Sequence, residues 1–109
     1  MKMKKILIIA AAMSLGAVVH AADPAAGKEK SKACAACHGE TGISQVADFP
    51  KLAGQYSDYL VRALSDYKSG ARKNAIMAGQ AQALSRADID GLADYYASLP
   101  GSLQVAMPK

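Results

Sequence analysis

Hydrophobic residues in the second half of the chain recur at the three- and four-residue spacing of an amphipathic helix. One such stretch begins at Gln55 or Tyr56 and ends at Ser69, with an apolar stripe formed by Tyr56, Leu60, Ala63, Leu64 and Tyr67. The next opens at Ser85, where Asp88 follows as a variant of the capping box, and it ends before Pro100 with a stripe formed by Ile89, Leu92, Tyr96 and Leu99. No segment alternates with the period of two that marks a strand, so the pattern predicts an all-α fold.

A further helix is predicted from Asp23-Pro24, an N-cap followed by proline at the first helical position, to about Ala33. One face of this helix carries only small side chains, so another helix can approach it closely; that face comprises Gly27, Ser31 and Cys34. Residues Gly39–Gly54 and Gly70–Leu84 lack periodicity and are expected to be irregular. Long irregular segments in so small a domain are often functional, which suggests that they wrap around something.

The N-terminus has the pattern of a secretory signal peptide. Three lysines among the first five residues precede fourteen uncharged residues, Ile6 to Val19, and a small-residue cleavage site that predicts a cut after Ala21. The apolar run is shorter than the roughly 20 residues that span a bilayer. The sequence therefore predicts a signal peptide over residues 1–21, one domain over residues 22–109, export to the periplasm, and a mature protein without a membrane anchor.

Removal of the signal peptide changes the charge and the size of the chain. The basic residues fall from 13 to 10 while the acidic residues stay at 9, so the mature net charge is near +1 rather than +4. The basic character of the whole chain is therefore no argument for binding nucleic acid. The remaining 88 residues contain few aromatic side chains and a single histidine, His38. A domain of this size often needs a disulfide, a metal or a bound group to complete its core.

The sequence Cys34-Ala35-Ala36-Cys37-His38 is the C-x-x-C-H pattern that attaches a c-type haem. Two cysteines one helical turn apart can each bond one vinyl group on the edge of a porphyrin. His38 follows at once and can bind the iron from one face of the ring. The sequence therefore predicts haem c as a covalent cofactor, one per chain, with Cys34 and Cys37 as its attachment points and His38 as an iron ligand.

Three other roles for the cysteine pair are considered. A thioredoxin-like redox pair lies beside a βαβ pattern, which this chain lacks. A structural zinc site needs four ligands, whereas the mature chain offers two cysteines and one histidine. A plain disulfide is compatible with export, but the adjacent histidine and the thin core favour haem.

A six-coordinate haem needs a second axial ligand, and the two methionines of the mature chain, Met77 and Met107, are the soft candidates. Met107 lies next to Pro108 near the C-terminus, where chain ends fray. Met77 lies 39 residues after His38, with a predicted helix between them that lets the chain cross to the other face of the ring. Elimination favours Met77, with an ordinary core methionine as the alternative.

Several stretches together resemble a known family. The chain carries, in order, Gly27 seven residues before Cys34, then CAACHG, FPKLAGQYSDYL, YKSGARKNAIM and LSRADIDGLADYYASL. This order resembles that of short bacterial class I cytochromes c over nearly all of residues 24–99. The resemblance implies three to four helices wrapped around one covalent haem, with the N- and C-terminal helices crossing.

The same resemblance implies roles for particular residues. It makes Met77 the distal iron ligand, and it has the backbone carbonyl of Pro50 accept a hydrogen bond from the ring N–H of His38. It also places Gly27 against an aromatic residue of the last helix, Tyr95 or Tyr96, of which Tyr95 is favoured. Two departures from the family pattern, Ser31 and Gly91, are expected to weaken the helix crossing. An alanine in place of Gly91 would favour the helix by about 1 kcal/mol.

The resulting functional expectation is a periplasmic single-electron carrier that is not an enzyme and passes electrons between respiratory redox proteins as a monomer or weak dimer. Two alternatives are a haem protein with an open iron site that binds a small gas, and a haem subunit of a larger periplasmic oxidoreductase. Four cations could steer an acidic partner if they surround the haem edge: Lys51, Lys68, Arg72 and Lys73. Arg72 is also a candidate partner for a haem propionate. The basic first helix and the acidic last helix are expected to form a solvated mixed surface.

Overall fold

The computed structural model describes residues 8–13 and 23–103. Most of the predicted signal peptide, the predicted cleavage site after Ala21 and the candidate ligand Met107 lie outside the described residues. Residues 8–13 are exposed and have no regular secondary structure. Within the described ranges, no helix is both long enough and apolar enough to cross a membrane.

Five helices and no strand form the described part of the chain, which confirms the all-α prediction. The helices are α1 (Pro24–Lys30), α2 (Lys32–His38), α3 (Ser57–Ser69), α4 (Ala75–Gln82) and α5 (Arg86–Ser98). A single residue separates α1 from α2, so these two correspond to one bent helix. Counted in this way, the described residues form four helices, within the predicted three to four.

The first helix begins as predicted but ends later. The Asp23 side chain accepts a hydrogen bond from the Ala25 N–H, and Pro24 takes the first helical position. Helical structure continues past Ala33 to His38, with a break at Ser31. The Ser31 hydroxyl donates to the Lys28 carbonyl at 2.6 Å, and such a bond back to the preceding turn bends a helix. The haem-attachment motif is therefore helical rather than part of a loop.

The helix crossing lies between α1 and α5, as predicted, but its contact is different. A Cβ atom on Gly27 would lie 2.0 Å from the carbonyl oxygen of Gly91, so two glycine backbones meet there. The atoms nearest to that Cβ are backbone atoms of Gly91 and Leu92 rather than the predicted Tyr95 ring. Gly91 was interpreted as a weak point of α5, yet its missing side chain is what allows the close approach.

The core cluster lies between α3 and α5. It is formed by Leu60 of α3 and by Leu92, Ala93 and Tyr96 of α5. The capping box at the start of α5 has both of its hydrogen bonds, between Ser85 and Asp88. A hydrogen bond of 2.5 Å from the Ser57 hydroxyl to the Asp94 carboxylate ties the start of α3 to α5. α5 is thus the helix on which both α1 and α3 pack.

The two segments predicted to be irregular differ from each other. Residues 39–54 form turns and bends, as predicted. Residues 70–84 contain α4, which the absence of periodicity had excluded. Apolar residues lie all around α4 (AIMAGQAQ), so the helix has no apolar stripe for a periodicity search to detect. Its N-cap is Asn74, whose side chain accepts a hydrogen bond from the Met77 N–H at 2.9 Å.

Candidate functional site

Cys34 and Cys37 lie on α2 one turn apart, and a spacing of three residues places them on the same side of the helix. Both side chains are half-buried, and the two thiols are not joined to each other. Burial raises the pKa of the Cys34 thiol, with the neighbouring Cys37 acting in the same direction and the nearby Tyr96 hydroxyl opposing them. Both sulfur atoms are thus free on one helix face.

His38 ends α2 and is buried, with 6% of its surface exposed. Its Nδ1 lies 2.8 Å from the backbone carbonyl oxygen of Pro50. A carbonyl can only accept, so Nδ1 carries the hydrogen and donates it, and Nε2 bears the free lone pair. The ring of Phe49 lies 6.5 Å away, centroid to centroid, at an angle of 60°. The irregular segment therefore fixes the ring orientation of His38 and directs the basic nitrogen to the opposite side, the arrangement typical of a metal-binding histidine.

Met77 lies in the first turn of α4 and is half-buried. The Asn74 cap fixes the backbone of Met77, but its neighbour Ile76 is 61% exposed. The end of α4 is attached to α3, because the Lys68 ammonium donates to the Leu84 carbonyl and the Gln82 amide donates to the Lys68 carbonyl at 2.9 Å. Sequence reasoning identified Met77 but not Asn74, although an asparagine immediately before a short run of helix-forming residues is a cap signal.

Two of the four cations proposed to steer a partner make contacts within the domain. The Arg72 guanidinium lies 4.8 Å from the centroid of the Tyr67 ring, and it donates to the Tyr59 hydroxyl at 3.3 Å. That hydrogen bond raises the pKa of Arg72. Lys68 is engaged at the end of α4, whereas Lys51 and Lys73 are exposed. The contact between Arg72 and a propionate stays a prediction.

The basic and acidic helices are not simply solvated, since some of their charges meet. Lys30 of α1 lies 3.6 Å from Asp88 of α5, and Asp90 pairs with Arg86 at 2.9 Å on its own helix. Exposed pairs of this kind contribute about 0.2–1 kcal/mol each. Of the two, the Lys30–Asp88 pair joins α1 to α5, and a contribution of this size is small beside the packing of the crossing.

The donor set fits a c-type haem. Two thiols on one helix face can attach the porphyrin edge, and a buried imidazole with a free Nε2 follows directly. A thioether lies on a separate helix. Nitrogen and soft sulfur are the axial donors that cytochromes of this ligand type use.

The chain is similar to known cytochromes. Residues 24–100 match the family described as cytochrome c. Cytochrome c4 of Pseudomonas aeruginosa is 41% identical over 108 residues, which is 97% of this chain and 54% of the relative. A protein of Thiomonas intermedia named thiosulfate dehydrogenase electron acceptor is 39% identical, over 97% of this chain and 49% of the relative.

The fold has solved counterparts as well. The reduced cytochrome c4 of Pseudomonas stutzeri is 35% identical with a TM-score of 0.63, over 72% of this chain and 50% of that chain. The chain thus spans about half the length of these relatives.

Proposed function

The chain belongs to the cytochrome c family, and from that premise we propose that it is a single-electron carrier of the periplasm. Membership brings a covalently bound haem c with its iron. When bound, this group supplies one-electron oxidation and reduction. The observation that carries the proposal is the hydrogen bond of 2.8 Å from Nδ1 of the buried His38 to the Pro50 carbonyl, directly after the cysteine pair.

We assign the attachment to Cys34 and Cys37. Each thiol would hold the porphyrin through a thioether formed with one vinyl group, the S–H hydrogen passing to the neighbouring carbon, so no oxidant is needed. Such bonds require both sulfur atoms to be reduced, and the two cysteines are free. His38 would hold the iron through Nε2, and Pro50 acts through His38 as a positioning residue.

We assign the second axial position to Met77. The thioether is a soft neutral donor, and methionine–histidine ligation raises the reduction potential. With both positions occupied by side chains of the protein, no site is left for a substrate or a gas. The chain therefore acts as a carrier and not as an enzyme.

The absorption spectrum of the oxidised protein tests this assignment. A charge-transfer band from sulfur to iron is expected in the wild type and is expected to vanish in Met77→Ala. Met107→Ala is the matched control, because it removes the other methionine of the mature chain, and it is expected to keep the band. Ready carbon monoxide binding by the reduced wild-type protein, or loss of the band in Met107→Ala instead, would refute the ligand assignment.

Export and processing form a separate part of the proposal. We propose that residues 1–21 are removed as a signal peptide and that residues 22–109 form the carrier, supported by the basic start and the small residues before Ala22. The protein recovered from the periplasm is expected to have the mass of residues 22–109 plus one haem, and to keep the haem after denaturation. A colourless denatured chain would contradict covalent attachment.

The Thiomonas relative supports a more specific role, as electron-accepting partner of a larger oxidoreductase. We propose that this chain is a monomer or weak dimer and that a periplasmic dehydrogenase reduces it. Stopped-flow reduction by a thiosulfate dehydrogenase with thiosulfate present tests this, and the rate should fall with salt if Lys51 and Lys73 contribute to docking. An absence of reduction at every salt concentration would exclude this donor and leave the carrier assignment intact.

A further inference from the structure

The hydroxyl of Tyr96 is a buried polar group that the proposed function does not use. Tyr96 is 4% exposed and belongs to the core cluster. Its hydroxyl oxygen is buried and has no hydrogen-bond partner among the described residues. A buried hydroxyl without a partner is costly, so its position calls for an explanation.

Two contacts fix the position of this ring. A Cβ atom on Gly42 would lie 3.0 Å from Cδ1 and 3.2 Å from Cε1 of Tyr96, so the ring packs directly on the backbone of the irregular segment. The Tyr96 carbonyl accepts a hydrogen bond from the Gly54 N–H at 3.0 Å. The hydroxyl therefore has little freedom to turn towards solvent.

Cys34 is the sulfur-bearing residue that packs against the core cluster around this hydroxyl, which contains Tyr96. The burial of Tyr96 raises the pKa of its phenol, and the neighbouring Cys34 raises it further. The hydroxyl and the sulfur are thus neighbours in the core, although no hydrogen bond joins them in the chain without haem.

Of the two hydroxyls near this sulfur, those of Tyr96 and Ser31, the one with a hydrogen still to donate is that of Tyr96. Ser31 is also close to Tyr96, but its hydroxyl hydrogen is already donated to the Lys28 carbonyl at 2.6 Å. A Cys34 thiol carries a hydrogen of its own, whereas a thioether sulfur carries none and can only accept. Attachment of the haem therefore turns the neighbour of Tyr96 into a pure acceptor.

We propose that the Tyr96 hydroxyl donates a hydrogen bond to the Cys34 sulfur in the haem-loaded protein and thereby raises the reduction potential. This inference rests on the proposed function, since it requires Cys34 to be an attachment point. A donor places a partial positive charge beside the porphyrin edge, which disfavours the oxidised form because that form carries one more positive charge. Burial strengthens the effect because little water screens it.

The test is the reduction potential of haem-loaded Tyr96→Phe. This substitution keeps the ring and removes only the hydroxyl. We expect the equilibrium to shift about threefold towards the oxidised form, which is about 28 mV at 59 mV per tenfold change for one electron. The matched control is Tyr95→Phe, since the adjacent Tyr95 ring lies 5.2 Å from that of Tyr96 and its residue lines a surface groove. The control is expected to keep the wild-type potential.

Three results would overturn the proposal. The first is an unchanged potential in Tyr96→Phe, and the second is the same shift in Tyr96→Phe and Tyr95→Phe. The third is a raised potential in Ser31→Ala, because it would show that the Tyr96 hydroxyl donates to the Ser31 oxygen and turns to the sulfur only when that oxygen is removed.

A measurement on the wild type makes the test independent of how the variants fold. In the reduced protein, proton NMR is expected to show a slowly exchanging Tyr96 hydroxyl proton with a cross-peak to the Cys34 β protons. Its absence would refute the hydrogen bond. If the haem stays on the denatured chain while these signals are missing, only this inference fails; if the haem is released, the proposed attachment fails as well.

Discussion

The two sides of the candidate haem site are built differently. The histidine side consists of α1, α2, the segment 39–54 and α5, and it holds His38 at 6% exposure with its Nδ1 bonded to Pro50. The methionine side consists of residues 70–84 with α4, and it holds Met77 half-buried on a helix of eight residues. One proposed ligand is thus fixed by tertiary packing and the other mainly by a local cap.

The difference has a thermodynamic meaning. Short isolated helices are marginal in water, so α4 depends on its Asn74 cap and on a few exposed bonds to α3. The histidine side instead depends on the contact between Gly27 and Gly91, which tolerates no added atoms. Disturbing the histidine side should therefore unfold the domain, whereas disturbing the methionine side should release one ligand first.

The largest effect is expected from Gly27→Ala. Its new Cβ would lie 2.0 Å from the Gly91 carbonyl oxygen, so the two helices must move apart. Overpacking of this kind costs about 1–3 kcal/mol, and a clash with backbone belongs at or above the upper end. Urea unfolding of the haem-loaded protein is the measurement.

Gly79→Ala is the control for this substitution, because nothing lies within 4 Å of the added atom. On α4 the same change is expected to stabilise the protein by about 0.4–1 kcal/mol through the loss of unfolded-state freedom. Equal urea midpoints for the two variants would show that the crossing does not hold the fold.

The next effect is expected from Asn74→Ala. It removes the side chain that accepts from the Met77 N–H, and the loss of such a cap costs about 1 kcal/mol. The sulfur-to-iron band is expected to disappear at a lower urea concentration than the one at which the haem absorption as a whole reports global unfolding. Ser85→Ala removes a cap of the same kind from α5, and it is expected to lower the global midpoint without this early loss. An early loss in both variants would contradict a local role for Asn74.

The same division explains what the sequence could predict. The cysteine pair and His38 could be found from local spacing, because covalent attachment dictates that spacing. α4 was missed because apolar residues lie all around it, and the helix break at Ser31 depends on one hydroxyl bond to Lys28. The contact of Gly27 with Gly91 joins residues far apart in the chain, so no local pattern of either helix contains it.

A smaller effect is expected from Arg72→Gln, which sharpens the account of the methionine side. It removes the guanidinium from the Tyr67 ring and the Tyr59 hydroxyl, and an exposed contact of this type contributes about 0.5–1 kcal/mol. Arg86→Gln removes a surface pair with Asp90 on α5 and serves as the control. A reduction potential that changes in Arg72→Gln but not in Arg86→Gln would support the predicted contact with a propionate. An unchanged potential with lowered stability would show that Arg72 serves to stabilise α3 through Tyr59 and Tyr67.

The smallest effect concerns pH and the histidine side. A hydrogen bond from the Ser85 backbone, and further bonds and charges from Ser85 and Lys30, hold the pKa of Asp88 below its usual value. Since the folded-state pKa is lowered, this contribution to stability is fully present above the unfolded-state value of about 3.9 and is lost as the pH falls through the folded-state value. The urea midpoints of wild type and Asp88→Asn should therefore differ at neutral pH and converge in acid. Glu29→Gln removes an exposed carboxylate that pairs with Lys32 within the same bent helix, so its midpoint should stay closer to that of the wild type at neutral pH. If Glu29→Gln shifts the midpoint as much as Asp88→Asn, the effect is one of net charge and not of the link between α1 and α5.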